Sequence, residues 1–411
     1  MNILVFCGSY YPYMNPPATC LDKYLQELKK SHHIDIVCPC THIPVQKPKD
    51  IGIDIHFIST PRNTIKAICR SHIEKGHRLW FYKPIYNLML ALGRLISYIS
   101  YPSRESWMIR KYLRVAENLQ KLESVDAVIS VSFPVCTHFA AYYLKVKNPE
   151  LKWITYSTDP FAMNENASFK YSFFKEKRKK KNFMWEEKYL KAADYNIFTE
   201  ELFEASILKF SLDPRRSFAF PFTIKPPEKI LADDVLHTIK PKVVYAGNLY
   251  SKIRNPQKML EVLSLIKEVE TFLFQTGDCD RILSAYNNCD NIHINGLLTK
   301  DKYLHVVNDE ADIHINIGNN VPLQAPSKMV QLISTGKPIL NFYSVWNSQC
   351  EMIEKYPLGM NIGPDFYDIE AVRSFCLQNC HKYIEYNEIE TIFPDNCFEK
   401  QMASLDDMLM C

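Results

Sequence analysis

Residues 311 to 340 leave this chain little choice of local fold, because they run through strand, loop, helix and strand without a break. The stretch from Ala311 to Gly318 (ADIHINIG) predicts an apolar strand. In PSKMVQLISTGKPIL (326 to 340), Pro326 and Ser327 suit a first helical turn, and Met329, Val330, Leu332 and Ile333 form an apolar face. Gly336 ends the helix, Pro338 blocks its continuation, and Ile339-Leu340 starts a strand. A helix N-terminus on the same side as a strand's C-terminal end is where open α/β sheets hold anionic ligands. An ordinary buried βαβ crossover has the same pattern, and the pattern alone leaves both open.

The rest of the chain repeats the alternation. Ile3 to Phe6, His33 to Val37, Ala127 to Val131, Trp153 to Tyr156 and Tyr195 to Phe198 read as strands, with helices between. One such helix carries Leu21, Tyr24, Leu25 and Leu28 at helical spacing. Pro221 to Pro227 is the candidate interdomain linker, stiffened by its prolines. Strands then resume at Val243 to Ala246, Thr271 to Gln275 and Asn291 to Asn295. Alternation of this kind implies parallel sheets with right-handed crossovers. A length of 411 residues suits two domains, expected at 1–222 and 228–394, with 395–411 a C-terminal helix that could return to the first.

No apolar run reaches the roughly 20 residues of a membrane span, and the 13 cysteines lack metal-ligand spacing. A strand that begins almost at Met1, with no signal peptide before it, leads to an expectation of a reducing cytosol. The net charge of +3 conceals an asymmetry: residues 1 to 220 carry 32 Lys and Arg against 21 Asp and Glu, and the remainder 17 against 25. Two basic segments stand out, Lys175 to Lys181 flanked by Phe173, Phe174 and Phe183, and His77 to Arg114, where Trp80, Phe81, Leu88 and Leu95 mix with Arg78, Lys83 and Arg94. Such mixtures suit a membrane interface. A solvated helix face and a buried helix are the respective alternatives. No GxGxxG is present, which speaks against a nicotinamide dehydrogenase.

The segment GNLYSKIRNP (247 to 256) lies between a strand and a helix and offers backbone amides with Lys252 and Arg254 to an anion. Lys328 adds a third cation, and together they could neutralise a departing diphosphate. Asp278-Cys279-Asp280 has the spacing of a metal-binding DxD, but it follows a turn in an α/β half where cations already serve, so no metal is expected.

Residues 243 to 340, and less strongly 128 to 161, resemble the retaining GT-B glycosyltransferases of family 4. The resemblance implies two Rossmann-like domains with a nucleotide-sugar cleft between them. It places Gln331 where the family has a ribose-binding glutamate, and Leu323 where another glutamate faces the sugar. Gly247 matches the family's glycine, Asn248 stands in place of its arginine, and Arg254 in place of its lysine. Leu297 and Leu298 match a base-contacting loop, while Pro326, Ser327 and Lys328 match the phosphate-binding helix start. In the first half, Ser132-Phe133-Pro134, His138 and Asp159 resemble acceptor-side segments, which makes His138 and Asp159 candidates to hold or deprotonate an acceptor hydroxyl. The opening loop, Gly8 to Pro17, departs from the family's paired glycines.

The expectation is therefore transfer of a sugar, with retention, from a UDP-, GDP- or dTDP-sugar to a hydroxyl of a glycan acceptor, lipid-linked, in surface-polysaccharide synthesis. Sugar choice would rest on Val321 to Ala325. No cofactor, metal or nucleic acid is expected, and the basic half would face the cytoplasmic membrane leaflet as a peripheral protein. Two rivals stay open: a sugar-nucleotide epimerase of similar architecture, and a non-catalytic nucleotide-sugar-binding scaffold, suggested by the loss of acidic residues at Leu323 and Gln331.

Overall fold

The computed structural model describes residues 1–11, 14–40, 52–99, 101, 106–122, 124–164, 175–228, 235–320, 323 and 327–410. The chain forms two compact units, Met1–Phe220 with Met402–Cys411, and Pro221–Gln401.

The first unit holds β1 (Asn2–Phe6), β2 (His33–Pro39), β3 (Asp54–Ile58), β4 (Ala127–Val131), β5 (Lys152–Ser157), β6 (Tyr195–Phe198) and β7 (Ser217–Ala219). They make one parallel sheet of order β3-β2-β1-β4-β5-β6-β7. β1 and β4 are buried almost throughout, as strands covered by helices on both faces must be. The C-terminal helix Phe398–Met410 touches this unit at its far end, where Lys152 Nζ donates to the Leu409 carbonyl at 2.7 Å.

The second unit holds β8 (Lys242–Leu249), β9 (Glu270–Gly277), β10 (Ile292–Asn295), β11 (Ile313–Ile317), β12 (Ile339–Phe342) and β13 (Gly359–Ile362). Their order is β10-β9-β8-β11-β12-β13, again parallel. Leu260, Leu263, Leu273, Ile313 and Leu340 anchor the core on one side, and Met329, Ile333, Ile339 and Ile353 form a second cluster.

Polar residues cross this sheet in one row. Asn316, Asn341 and Asn361 are in register on β11, β12 and β13. Asn316 Nδ2 donates to Asn341 Oδ1 at 2.8 Å, and Asn341 Nδ2 donates to Asn361 Oδ1 at 2.8 Å. Asn361 Nδ2 closes the row on the Cys350 carbonyl at 2.8 Å. The buried amides of Asn316 and Asn341 thereby find partners in their neighbours, with half-buried Asn361 ending the row.

One expectation needs adjustment, the start of a helix. Pro221 to Pro227 has no regular structure and is packed: Ile224 is buried, its N–H donates to the Asn396 carbonyl at 3.2 Å, and Asn396 Nδ2 donates to the Phe222 carbonyl at 2.7 Å. The helix expected from Pro326 starts at Lys328 and runs to Ser334, with Ser327 before it making no side-chain cap bond. It ends as its sequence dictates. Gly336 has φ +72°, and a Cβ there would stand 2.2 Å from the Ile384 carbonyl oxygen, so both conformation and space demand glycine.

Candidate functional site

In the second sheet the chain builds β8, β9 and β10 outward in one direction, then returns to lay β11, β12 and β13 on the other side of β8. The boundary between β8 and β11 is thus the topological switch point, where doubly wound sheets open a crevice. The ladder shows the opening directly: β8 and β11 pair only at Val243–Ile313 and Val244–His314. Beyond them a small cavity of about 20 Å³, room for one water, is lined by Ala246, Arg254, Tyr303, His314, Asn316 and Lys328 among others.

Two cations converge here. Lys328, first residue of its helix, turns its Nζ onto the Ala246 carbonyl at 2.5 Å and lies 5.2 Å from the centre of the Tyr303 ring. Arg254 Nε donates to Asn319 Oδ1 at 2.6 Å. Burial, with the Arg254 charge second, pushes the Lys328 ammonium down to about 8. The loops after β8 and β11 are tied to each other, since Asn320 N donates to the Ile253 carbonyl at 3.0 Å. Gly247 completes the cradle by close approach: a Cβ on it would lie 3.0 Å from Lys328 Nζ and 3.1 Å from the Tyr245 hydroxyl. Two positive groups beside the buried Gly247 at a switch point have the charge and placement that suit an anion.

Beneath the cations lies a neutral histidine. His314 is fully buried, and burial brings its imidazole down to about 3. Thr335 Oγ1 donates its single hydrogen to the Leu332 carbonyl at 2.7 Å, so at its 3.0 Å contact with His314 Nε2 it accepts, and the ring proton sits on Nε2. Nδ1 is then an acceptor without a partner among the described residues. Such a group asks for a donor, a water or a ligand.

Gly247, Arg254 and Lys328 come together around the crevice, and Gln331 joins them through Tyr303, whose hydroxyl donates to Gln331 Oε1 at 2.8 Å. That leaves Gln331 the amide NH₂ and the oxygen's second lone pair to offer a ligand. Asn248 is exposed and contributes its carbonyl to Tyr245 Oη at 3.0 Å. Lys252 is exposed, with its carbonyl accepting from Asn320 Nδ2. Ser327 is exposed, Pro326 and residues 321, 322, 324 and 325 lie outside the described residues, and Leu323 is half-buried in a turn. Leu297 is exposed after the edge strand β10, and Leu298 packs on the Leu236–Val244–Phe272 cluster. Asp278 is structural: it accepts from Ser251 N at 2.7 Å, a bond that holds its carboxyl below the usual range. Among the described residues the metal-capable trio is elsewhere, at His33, Asp35 and Asp54.

In the first unit His138 requires a correction. It is a core residue, with Nδ1 2.7 Å from Ser130 Oγ, Nε2 3.3 Å from Ser157 Oγ and its ring stacked on Tyr189 at 5.2 Å. Burial lowers it to about 3, so it is neutral, enclosed and already bonded at both nitrogens, which removes it as a base for an acceptor. Asp159 is half-buried in the loop after β5, which is held by Thr158 N donating to Ser132 Oγ at 3.0 Å. Burial raises the Cys20 thiol, with the Asp159 charge contributing, so the carboxylate lies within electrostatic reach of the helix Pro16–Leu28. Sequence reasoning passed over Glu186, whose buried carboxylate accepts from Ala162 N at 2.7 Å and braces that same loop. Tyr303 and His314 were passed over too, the histidine being hidden within an apolar run.

No family model matches this chain, and no curated protein matches it. Solved structures do. It is similar to the lipopolysaccharide outer core galactosyltransferase WaaB in its apo form, with TM-score 0.60 and 10% identity over 100% of this chain and 99% of the other. It is equally similar to an E. coli trehalose-6-phosphate structure bound with UDP-2-fluoro glucose, with TM-score 0.60 and 11% identity over 100% and 99%. TarM follows at TM-score 0.56 and 11% identity over 99% and 98%. Likeness at such identities establishes the architecture, and with two Rossmann-like units of parallel strands this chain has the GT-B fold.

Proposed function

We propose that this protein is a glycosyltransferase that moves a sugar from a nucleoside-diphosphate sugar to a hydroxyl of a glycan acceptor. The observation that carries the reading is the pairing of Arg254 and Lys328 over Gly247 at the β8/β11 switch point. Sugar transfer from such a donor releases a diphosphate, and the charge growing on it in the transition state is what two preorganised cations in a half-buried crevice stabilise. Gln331, backed by Tyr303, is assigned to the ribose, and Leu298 to the base side. A protein cation pair can do the work of a divalent ion here, so the reaction is proposed to run without metal. Retention follows from the family resemblance: the leaving phosphate shields one face of the sugar and takes the acceptor's proton, with no protein nucleophile. Asp159 is the remaining candidate to orient the acceptor. A lipid-linked glycan of surface-polysaccharide synthesis is the proposed acceptor, met by a protein peripheral to the cytoplasmic face of the membrane. Of the similar structures, one is bound with UDP-2-fluoro glucose, which supports a nucleotide-sugar reading, and another is named a galactosyltransferase, which supports sugar transfer.

A sugar-nucleotide epimerase is the second reading, because a putative UDP-N-acetylglucosamine 2-epimerase from Listeria monocytogenes has TM-score 0.50 at 11% identity over 92% of this chain and 88% of that one. One experiment separates them: purified protein with a panel of UDP-, GDP- and dTDP-sugars, with and without lipid-linked acceptor, in EDTA. Nucleoside diphosphate released together with glycosylated acceptor supports the transferase. A changed sugar without acceptor marks the epimerase, and tight binding without turnover marks a scaffold.

A further inference from the structure

The helix Leu79–Ile99 is apolar nearly all round, yet among the described residues only one side of it is covered. A helix of that composition is normally buried. Its covered side lies along the helix Pro61–Glu74 and is held largely by polar and aromatic contacts: Arg62 Nη1 reaches the Met89 carbonyl at 3.4 Å beside Gly93, Arg70 Nη2 donates to the Tyr86 hydroxyl at 3.3 Å, and His72 stacks on Tyr82 at 4.1 Å. The outward side carries Leu79, Trp80, Phe81, Leu88, Leu92 and Leu95, with Trp80 78% and Leu95 62% exposed. Phe81, Leu88, Leu92 and Leu95 recur at helical spacing, so they form a stripe rather than scattered residues. This is the reverse of a helix designed for water on that side.

Charge identifies what covers the stripe. Residues 61 to 99 contain seven Lys and Arg and a single acid, Glu74, and Lys83 and Arg94 are exposed alongside the apolar stripe. Apolar and aromatic side chains rimmed by cations match an anionic bilayer, where rings and methyls enter the headgroup boundary while the cations meet phosphates. A second copy of the chain fits poorly, since a self-complementary contact would set this basic segment against itself. Spanning is not the mode, because no described helix is long and apolar enough to cross a membrane. The lysine-rich helix Lys175–Ala192 differs: its Lys175 to Lys181 run is exposed apart from half-buried Arg178 and carries no apolar stripe, and Asn182, Glu186, Tyr189 and Leu190 fix its other side in the unit.

We propose that the hairpin of helices Pro61–Glu74 and Leu79–Ile99 seats this protein on an anionic phospholipid surface, with the outward face of the second helix lying in the headgroup boundary. The proposal deepens the reading above and rests on it for its purpose, which is to meet a lipid-linked acceptor where that acceptor resides.

The test is flotation of the full-length protein with phosphatidylcholine vesicles, with and without phosphatidylglycerol, and with brominated lipids to quench tryptophan. The wild type binds the anionic vesicles, with quenching. A triple variant, Trp80→Ser, Leu88→Ser and Leu95→Ser, loses binding by about tenfold or more while its melting temperature holds, because each side chain is exposed. Lys83→Glu with Arg94→Glu weakens binding in a salt-dependent way. A wild type that ignores anionic vesicles, a triple variant that binds undiminished, or a wild-type dimer that the triple variant converts to a monomer overturns the proposal, the last by showing a second copy on the face. Nucleotide release without vesicles is measured in parallel, so loss of the enzymatic reading is distinguishable from loss of this one.

Discussion

The two sheets share one winding scheme and differ at their switch points. Between β1 and β4 the ladder continues from Ile3–Ala127 to Phe6–Ser130, and Gly8 beyond it is closed on by Phe133, whose carbonyl would stand 2.3 Å from a Cβ. The groups behind it are neutral and mutually satisfied: Trp153 Nε1 donates to Ser130 Oγ at 2.8 Å, and Ser130 Oγ meets His138. Between β8 and β11 the ladder stops after its second pair, and the gap receives Lys328 and Arg254. Topology thus marks two places where a ligand could bind. Strand divergence and charge distinguish the second, the one proposed for a diphosphate.

The largest expected effect breaks the cationic side of that comparison. Arg254→Ala should lower turnover by about a hundredfold or more, as loss of one preorganised charge-stabilising donor does; steady-state nucleotide release measures it, and unchanged kinetics would remove Arg254 from the site. Lys328→Met should weaken nucleoside-diphosphate binding by about 10- to 100-fold, the range of a lost charged hydrogen bond. Calorimetry in buffers of different ionisation enthalpy sharpens it. Because the free ammonium is held down to about 8, an anion that restores it must take up a proton above that pH, and affinity must fall as pH rises further. Wild type without proton uptake at pH 9 would contradict the placement of Lys328.

The neutral side makes a different prediction. His138→Ala should cost about 2 kcal/mol of stability in denaturant unfolding, through lost packing and two stranded hydroxyls, while turnover per folded molecule is kept. A selective loss of turnover would return His138 to the chemistry. The smallest effect concerns Glu186, whose carboxyl burial pushes up to about 7. Its folded value exceeds its unfolded one, so stability falls as pH rises from about 4.5 to 7 and the penalty is complete above that. Glu186→Gln should raise stability at pH 8 by about 1 kcal/mol, less than the full relief because an amide accepts the Ala162 N–H less strongly, and should change little at pH 4. Equal melting shifts at both pH values would sink the idea.

What the sequence disclosed follows from burial. Interior strands β1, β4, β8 and β11 are covered on both faces, so their apolar runs are continuous and legible. The strands passed over, β3, β7 and β13, all lie on sheet edges. Asp54 to Ile58 and Gly359 to Ile362 are only partly covered, so their composition is mixed, and Ser217 to Ala219 is too short to show a period. Within the site, Gly247, Arg254 and Lys328 were legible because loops at strand ends advertise cations. Tyr303 and His314 were not, since a side chain brought in from another helix or enclosed in a strand leaves no local signal. His138 misled for the same reason: of its neighbours in space, Ser157 and Tyr189 are distant in sequence and Ser130 lies on the preceding strand.

The asparagine row across β11, β12 and β13 has a consequence for motion. A strand that slipped or peeled away would strand two buried amides at once, so the three cannot open one at a time at low cost. Their backbone amides should therefore exchange with deuterium together, as one cooperative block. That block begins at Asn316, on the wall of the crevice, and continues to Asn361 on the edge strand, so a ligand that quiets one end should slow exchange at the other.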